Sequence, residues 1–134
     1  MSEMWTAALA ELLALERKIF RKLNETIDIT RELAEAVDRE DQVSVQMLLS
    51  NRQMPLLELQ ELNAAVDLKR CDLSGEDEES FDWLIVGHGE PETPEEKEVA
   101  DQLALNRRVL TQLAELDQRV NEKLCREKSL YRKR

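Results

Sequence analysis

Residues 38–41 read Asp-Arg-Glu-Asp and form a short polar break between two long amphipathic segments. On both sides of the break, apolar residues recur at every third or fourth position, which is the spacing of one helix face. The residues are Trp5, Leu9, Leu12, Ile19, Leu23, Leu33 and Val37 before it, and Val45, Leu48, Leu49, Leu56, Leu59, Leu62 and Val66 after it. This spacing predicts helices over about residues 2–37 and 42–71, with Asp38 and Asp41 as candidate N-caps. Because so short a connection makes consecutive helices antiparallel neighbours, we expect a helical hairpin.

Residues 93–96, Thr-Pro-Glu-Glu, mark the start of another helix. Thr93 can cap, proline suits the first helical position, and Glu96 completes a capping box. Apolar residues then follow at helical spacing, namely Val99, Leu103, Leu110, Leu113, Val120, Leu124 and Tyr131. The sequence therefore predicts a helix over about residues 94–132. The predicted fold is all-α, an antiparallel three-helix bundle or long helical hairpin, in one domain covering residues 1–134.

Residues 72–93 have a different composition and are predicted to be an acidic linker. All three glycines fall here, and residues 72–98 carry eleven acidic residues and one lysine. Within the linker, residues 81–86 (Phe-Asp-Trp-Leu-Ile-Val) form an apolar run that a solvated loop does not need. Two interpretations stay open: the run packs on the bundle, or it occupies a binding groove until a client displaces it.

Pro55 lies inside the second predicted helix. A proline in a helix interior removes one hydrogen bond and clashes with the preceding turn, at a cost of about 3 kcal/mol. We therefore expect either a kink near residues 51–54 or a break between two shorter helices.

The overall charge restricts the partners. The chain of 134 residues holds 19 Lys and Arg against 29 Asp and Glu, a net charge of -10. This charge disfavours binding to nucleic acid, whose phosphates would be repelled. Apolar runs are too short to span a membrane, and no signal peptide is evident. Cys71 and Cys125 lack the spacing of a metal or redox motif and are predicted to be free thiols of a cytoplasmic protein.

Residues that could carry catalysis are scarce. His88 is the only histidine, and no glycine-rich phosphate-binding motif is present. Glu16 interrupts the apolar face of the first helix, where it could pair with Arg52 or, as we favour, keep its carboxylate in water at the rim of the core. We therefore predict no catalytic residue, no cofactor and no metal ion, and a protein that is not an enzyme.

Helix association remains as the expected activity. Leu105, Val109 and Leu116 widen the apolar face of the third helix beyond what one neighbour requires. Met47 and Met54 suit an adaptable groove lining, although core positions are the more common use. An amphipathic helix of another protein could lie in such a groove.

Several segments resemble the FlgN/FliT class of flagellar export chaperones. In residues 36–41 a small acidic turn precedes Leu-Leu-Ser-Asn-Arg-Gln-Met (48–54) and the paired leucines of residues 56–59. The stretches 106–110 and 116–120 are similar to the C-terminal helix of that class.

The resemblance implies a cytoplasmic helical chaperone. Such a protein holds the amphipathic C-terminal helix of hook-associated or filament-cap proteins and delivers them to the export apparatus. The client-binding residues would then be Leu103, Leu110, Leu113, Val120 and Leu124. The alternative is a structural or adaptor protein that forms a homodimer through the same apolar face and has no client.

Overall fold

The computed structural model describes the backbone of residues 3–132 and the side chains of residues 3–126. It contains the helices α1 (Glu3–Asp38), α2 (Gln42–Cys71), α3 (Glu76–Val86) and α4 (Pro94–Arg132). The described residues include no β-strand. The predicted all-α class is confirmed.

Ion pairs between α1 and α2 show that these helices run in opposite directions. Near the start of α1, Glu11 Oε2 lies 2.7 Å from Lys69 Nζ at the end of α2. Further along α1, Lys22 Nζ lies 2.7 Å from Glu58 Oε2, closer to the middle of α2. The hairpin predicted from the polar break is therefore present.

α4 returns on the other side of α1 and runs parallel to it. Trp5 Nε1 donates a hydrogen bond of 3.1 Å to Glu96 Oε1 near the start of both helices. At the other end of α1, Lys123 Nζ donates to Asp38 Oδ1 at 2.6 Å. Since α1 packs along both α2 and α4, it is the central helix, and α2 is antiparallel to both of its long neighbours.

The core lies along α1 in two clusters. The larger one contains Trp5, Leu9, Leu12, Ile19, Leu23, Leu59, Val66, Phe81, Val99, Leu103, Val109 and Leu113. The smaller one, beside the turn between α1 and α2, contains Leu33, Ala36, Val37, Val45, Leu48 and Val120. Each long helix therefore contributes one apolar face to the interior, as expected of a bundle.

Two predicted helix starts are confirmed. The Asp41 side chain accepts a hydrogen bond of 3.1 Å from the backbone N–H of Ser44 at the start of α2. At the start of α4, Thr93 Oγ1 accepts one of 3.2 Å from the backbone N–H of Glu96. The Glu96 carboxylate accepts in turn from the backbone N–H of Glu92 at 2.8 Å.

α2 continues without interruption through Pro55, so the predicted alternative of two shorter helices is wrong. Pro55 is itself buried, and Leu48 and Leu59 are buried on either side of it. An interior proline costs about 3 kcal/mol. The packing of these residues against the core offsets that cost.

The acidic segment 72–93 is not a simple linker, because α3 occupies half of it. Four acidic residues (76–79) fill the first turn of α3, where they complement the positive end of the helix dipole. Phe81 is 2% exposed in the larger core cluster. Gly87 ends the helix with a φ of 81°, which favours glycine. Through Phe81 the apolar run of residues 81–86 packs on the bundle.

Candidate protein-binding surface

The predicted client-binding residues of α4 do not form an open strip. Leu103, Leu113 and Val120 are 6%, 5% and 1% exposed and belong to the core. Leu124 is partly buried against the smaller cluster. Leu110 alone among the five projects outward, with 54% of its surface exposed. The expectation of a free apolar strip on this face is therefore wrong for the structure described here.

The residues that widen the apolar face of α4 also serve the core. Val109 is buried, and Leu105 and Leu116 pack partly buried against the larger cluster. These additional apolar side chains are covered because α4 contacts both α1 and the short α3.

The largest set of uncovered apolar side chains lies instead on the outer face of α2. Val43, Met47, Met54, Leu57 and Leu68 are 81%, 55%, 62%, 53% and 67% exposed. They point away from the α2 residues that are buried, such as Leu48, Leu59 and Val66.

These positions follow a regular pattern of alternating steps of four and three residues. The full series is Val43, Met47, Ser50, Met54, Leu57, Glu61, Ala64 and Leu68. Such spacing keeps one stripe of a helix in contact with a second helix over several turns. We call this series the outer seam of α2. Six of its eight members are apolar, so the outer seam resembles a helix-pairing surface that no side chain of residues 3–126 covers.

The first half of the outer seam, from Val43 to Leu57, lies on a surface without free charge. Residues 42–57 contain one charged side chain, Arg52, and its Nη2 donates a hydrogen bond of 3.0 Å to Asp117 Oδ2 on α4. The residues flanking the seam here are Gln46, Asn51 and Gln53. In a protein with 36% charged residues, an exposed apolar face without charge is typical of a buried interface.

Sequence reasoning missed this surface because α2 has apolar residues on two opposite faces. Leu48, Leu59 and Val66 satisfy the pattern of a core helix by themselves. For Met47 and Met54 the core position is wrong, because both are exposed, and the lining of a binding groove stays a prediction. Met47, Met54 and Glu61 follow one another at steps of seven residues. This spacing was the available signal for a second helix face.

Glu16 lies in the core, so the predicted position at the rim is wrong. It is 6% exposed, and its carboxylate accepts a hydrogen bond of 2.9 Å from Asn106 Nδ2. The alternative pairing with Arg52 is also wrong, because Arg52 pairs with Asp117. Burial raises the pKa of Glu16 above its ordinary value, and the bond from Asn106 and the charge of Arg107 oppose the rise only in part.

An open cleft of about 620 Å³ lies between α3 and α4. Trp83, His88 and Arg107 line it with several glutamates. Arg107 Nη1 donates to the backbone oxygen of Ile85 at 3.0 Å, so its role is to hold the end of α3. His88 is exposed, with its ring edge-on to Trp83 at 6.5 Å.

Other kinds of site receive no support from the described residues. Within residues 3–126, no group of three or more His, Cys, Asp or Glu side chains is placed to hold a metal ion. None of the helices in the described part of the chain is long and apolar enough to cross a membrane. Cys71 and Cys125 are exposed and not bonded to each other.

No protein-family model matches the chain, and neither a curated protein nor a solved structure matches it. The resemblance to the FlgN/FliT class therefore stays a prediction from the sequence.

Proposed function

We propose that this protein binds an amphipathic helix of a partner protein along the outer seam of α2 and serves as a cytoplasmic flagellar export chaperone. The observation that carries helix binding is the exposed, uncharged stripe from Val43 to Leu57. The sequence resemblance supports the more specific role in export of hook-associated or filament-cap proteins.

The composition of the seam suits a carrier that must release its client. Each fully buried Leu or Met gains about 1.5–3 kcal/mol, and the exposed seam residues Val43, Met47, Met54, Leu57 and Leu68 keep 53–81% of their surface uncovered in the free chain. Association costs about 4–15 kcal/mol, which offsets most of this gain, so reversible binding is expected. Flexible methionine side chains can adapt to different clients.

Self-association is the second candidate, since steps of four and three residues also allow two copies of α2 to pair. The neutral flanks of the seam would let two chains approach despite the net charge of -10. Sedimentation at low micromolar concentration separates the two functions. A monomer that forms a one-to-one complex with a helical peptide supports a chaperone, and a dimer that ignores the peptide supports an adaptor.

The direct test is binding of a fluorescent 25-residue peptide with leucines at alternating steps of three and four and glutamines at the flanks. Wild-type protein is compared with the double variant Met54→Lys, Leu57→Lys. The matched control is Leu110→Lys on α4, which changes a side chain of similar exposure. We expect at least tenfold weaker binding for the double variant and little change for the control. Equal binding by all three proteins would refute the proposal.

A further inference from the structure

The cleft between α3 and α4 exposes the largest apolar side chain on the described surface. Trp83 is 58% exposed, and it lines this cleft of about 620 Å³ together with Leu84, Ala100 and Ala104. None of the described residues that line the cleft belongs to α2, so the cleft is separate from the outer seam. Tryptophan is enriched among the residues that dominate binding at protein interfaces. We call this second candidate surface the Trp83 cleft.

The loop after α3 holds Trp83 in place without covering it. The backbone oxygen of Trp83 accepts hydrogen bonds from the N–H groups of Gly87 at 3.0 Å and of His88 at 3.1 Å. Gly89 lies so close to the indole that a Cβ atom there would be 3.0 Å from Cε3 of the ring. Gly89 has a φ of 86°, which favours glycine. Because the ring is already positioned, a partner that packs on it immobilises little that was free before.

The charged groups that line the Trp83 cleft are mostly carboxylates. They are those of Glu79, Glu90, Glu92 and Glu96, and Arg107 is the one cation that lines the cleft among the described residues. The carboxylate of Glu96 accepts a hydrogen bond of 2.8 Å at the start of α4. The other three glutamates are exposed, and their carboxylates form no ion pair with a described residue.

The cations around the Trp83 cleft do not neutralise these carboxylates. Arg107 holds the end of α3 through a hydrogen bond of 3.0 Å to a backbone oxygen. Lys97 Nζ lies 3.2 Å from Asp101 on α4, and Arg70 Nε lies 2.6 Å from Asp82 on α3. Three carboxylates without a partner and one guanidinium therefore face the cleft, which attracts a positively charged group.

We infer that the Trp83 cleft binds a basic segment of a partner protein. An arginine or lysine side chain of that segment lies over the indole of Trp83, with its charge among the carboxylates of Glu79, Glu90 and Glu92. The face of a tryptophan ring attracts a cation, and hydrogen bonds from a cation to a carboxylate are stronger than those between neutral groups. The inference goes beyond the proposed function and does not depend on it, because the client helix occupies a different surface.

Other occupants fit the Trp83 cleft less well. The phosphates of nucleic acid or of anionic lipid would be repelled by its carboxylates. An amphipathic helix needs an apolar stripe several turns long, whereas Trp83 is the one large exposed apolar side chain among the described residues that line the cleft. A second copy of this chain brings exposed Arg17 and Lys18, and its binding would produce a dimer.

The test uses a fluorescent nine-residue peptide with three arginines separated by glycine and serine. A matched peptide has citrulline, an uncharged analogue of arginine, at the same three positions. The variants of the full chain are Trp83→Ala and the double variant Glu90→Gln, Glu92→Gln. The matched control, Glu32→Gln with Glu35→Gln, makes the same change of net charge at exposed positions near the end of α1.

At low salt we expect wild-type protein to bind the arginine peptide about three- to tenfold more tightly than the citrulline peptide. Trp83→Ala should weaken binding of the arginine peptide about two- to fivefold. The Glu90 and Glu92 double variant should also weaken it, and the control should bind as wild type does.

Equal binding of the two peptides by wild-type protein would overturn the inference. Unchanged binding by Trp83→Ala would do so as well, since the indole would then not contact the peptide. An equal loss in the control would reveal a general charge effect and would also overturn it. A wild-type dimer in sedimentation that Trp83→Ala dissociates would assign the cleft to a second copy instead of a partner protein.

Discussion

Asn106 on α4 donates two hydrogen bonds to Glu16 on α1, one of 2.8 Å to its backbone oxygen and one of 2.9 Å to its carboxylate. Both residues are 6% exposed. A polar pair buried between two apolar helix faces is satisfied only in one alignment of the helices. The pair therefore fixes how α1 and α4 align, at some cost in stability.

The first prediction concerns the pH dependence of this pair. Burial raises the pKa of Glu16 above its ordinary value of 4.5, so the protonated form is favoured more strongly in the folded than in the unfolded chain. The stability that protonated Glu16 contributes is present at low pH and is lost as the pH rises through the folded-state pKa of Glu16. Glu16→Gln keeps an acceptor for Asn106 without the charge, and should be about 1 kcal/mol more stable than wild type at pH 7.

Urea denaturation at pH 7 and pH 4 measures this difference. The advantage of Glu16→Gln should shrink towards pH 4, because the wild-type side chain is then largely protonated. Glu115→Gln at an exposed position of α4 is the control. A constant advantage at both pH values would contradict the account of Glu16.

The second prediction separates the two aromatic residues of α3. Phe81 is 2% exposed and Trp83 is 58% exposed. Phe81→Ala should lower the free energy of unfolding by about 3 kcal/mol or more, since it leaves a cavity in the core. Trp83→Ala should change it by less than about 1 kcal/mol. Equal, small effects would mean that α3 does not dock on the bundle.

The third prediction concerns Arg52 and Asp117, the ion pair that joins α2 to α4 with 2.8 Å between Nη2 and Oδ1. Their side chains are 13% and 33% exposed. Asp117→Ala leaves the guanidinium without its partner and should cost about 2 kcal/mol. Arg52→Met together with Asp117→Ala should cost less than the sum of the single changes. Additive losses in thermal denaturation would show that the two residues are not coupled.

The long helices could be predicted from the sequence because their apolar residues are regularly spaced and because local residues mark helix starts. Asp41 and Thr93 cap α2 and α4 as predicted, and such caps depend on neighbouring residues only. At Pro55 the predicted break does not occur, because tertiary packing, which spacing does not quantify, outweighs a local penalty.

α3 and the outer seam could not be predicted, for different reasons. α3 has one fully buried anchor, Phe81, and its eleven residues are too few to give a clear helical period. On α2, apolar residues occupy both faces, so periodicity alone does not tell which face is covered. Only the contacts of α1 and α4 decide that Leu59 is buried and Leu57 exposed.

The central claim is that a client helix covers the outer seam of α2, and methionine methyl NMR tests it most directly. Met47 and Met54 lie on the seam, whereas Met4 is 64% exposed on α1 and provides an internal control. Addition of the helical peptide to protein with ¹³C-labelled methionine methyls should shift the signals of Met47 and Met54 and leave that of Met4 in place. A shift of Met4 alone, with Met47 and Met54 unmoved at saturating peptide, would contradict the account.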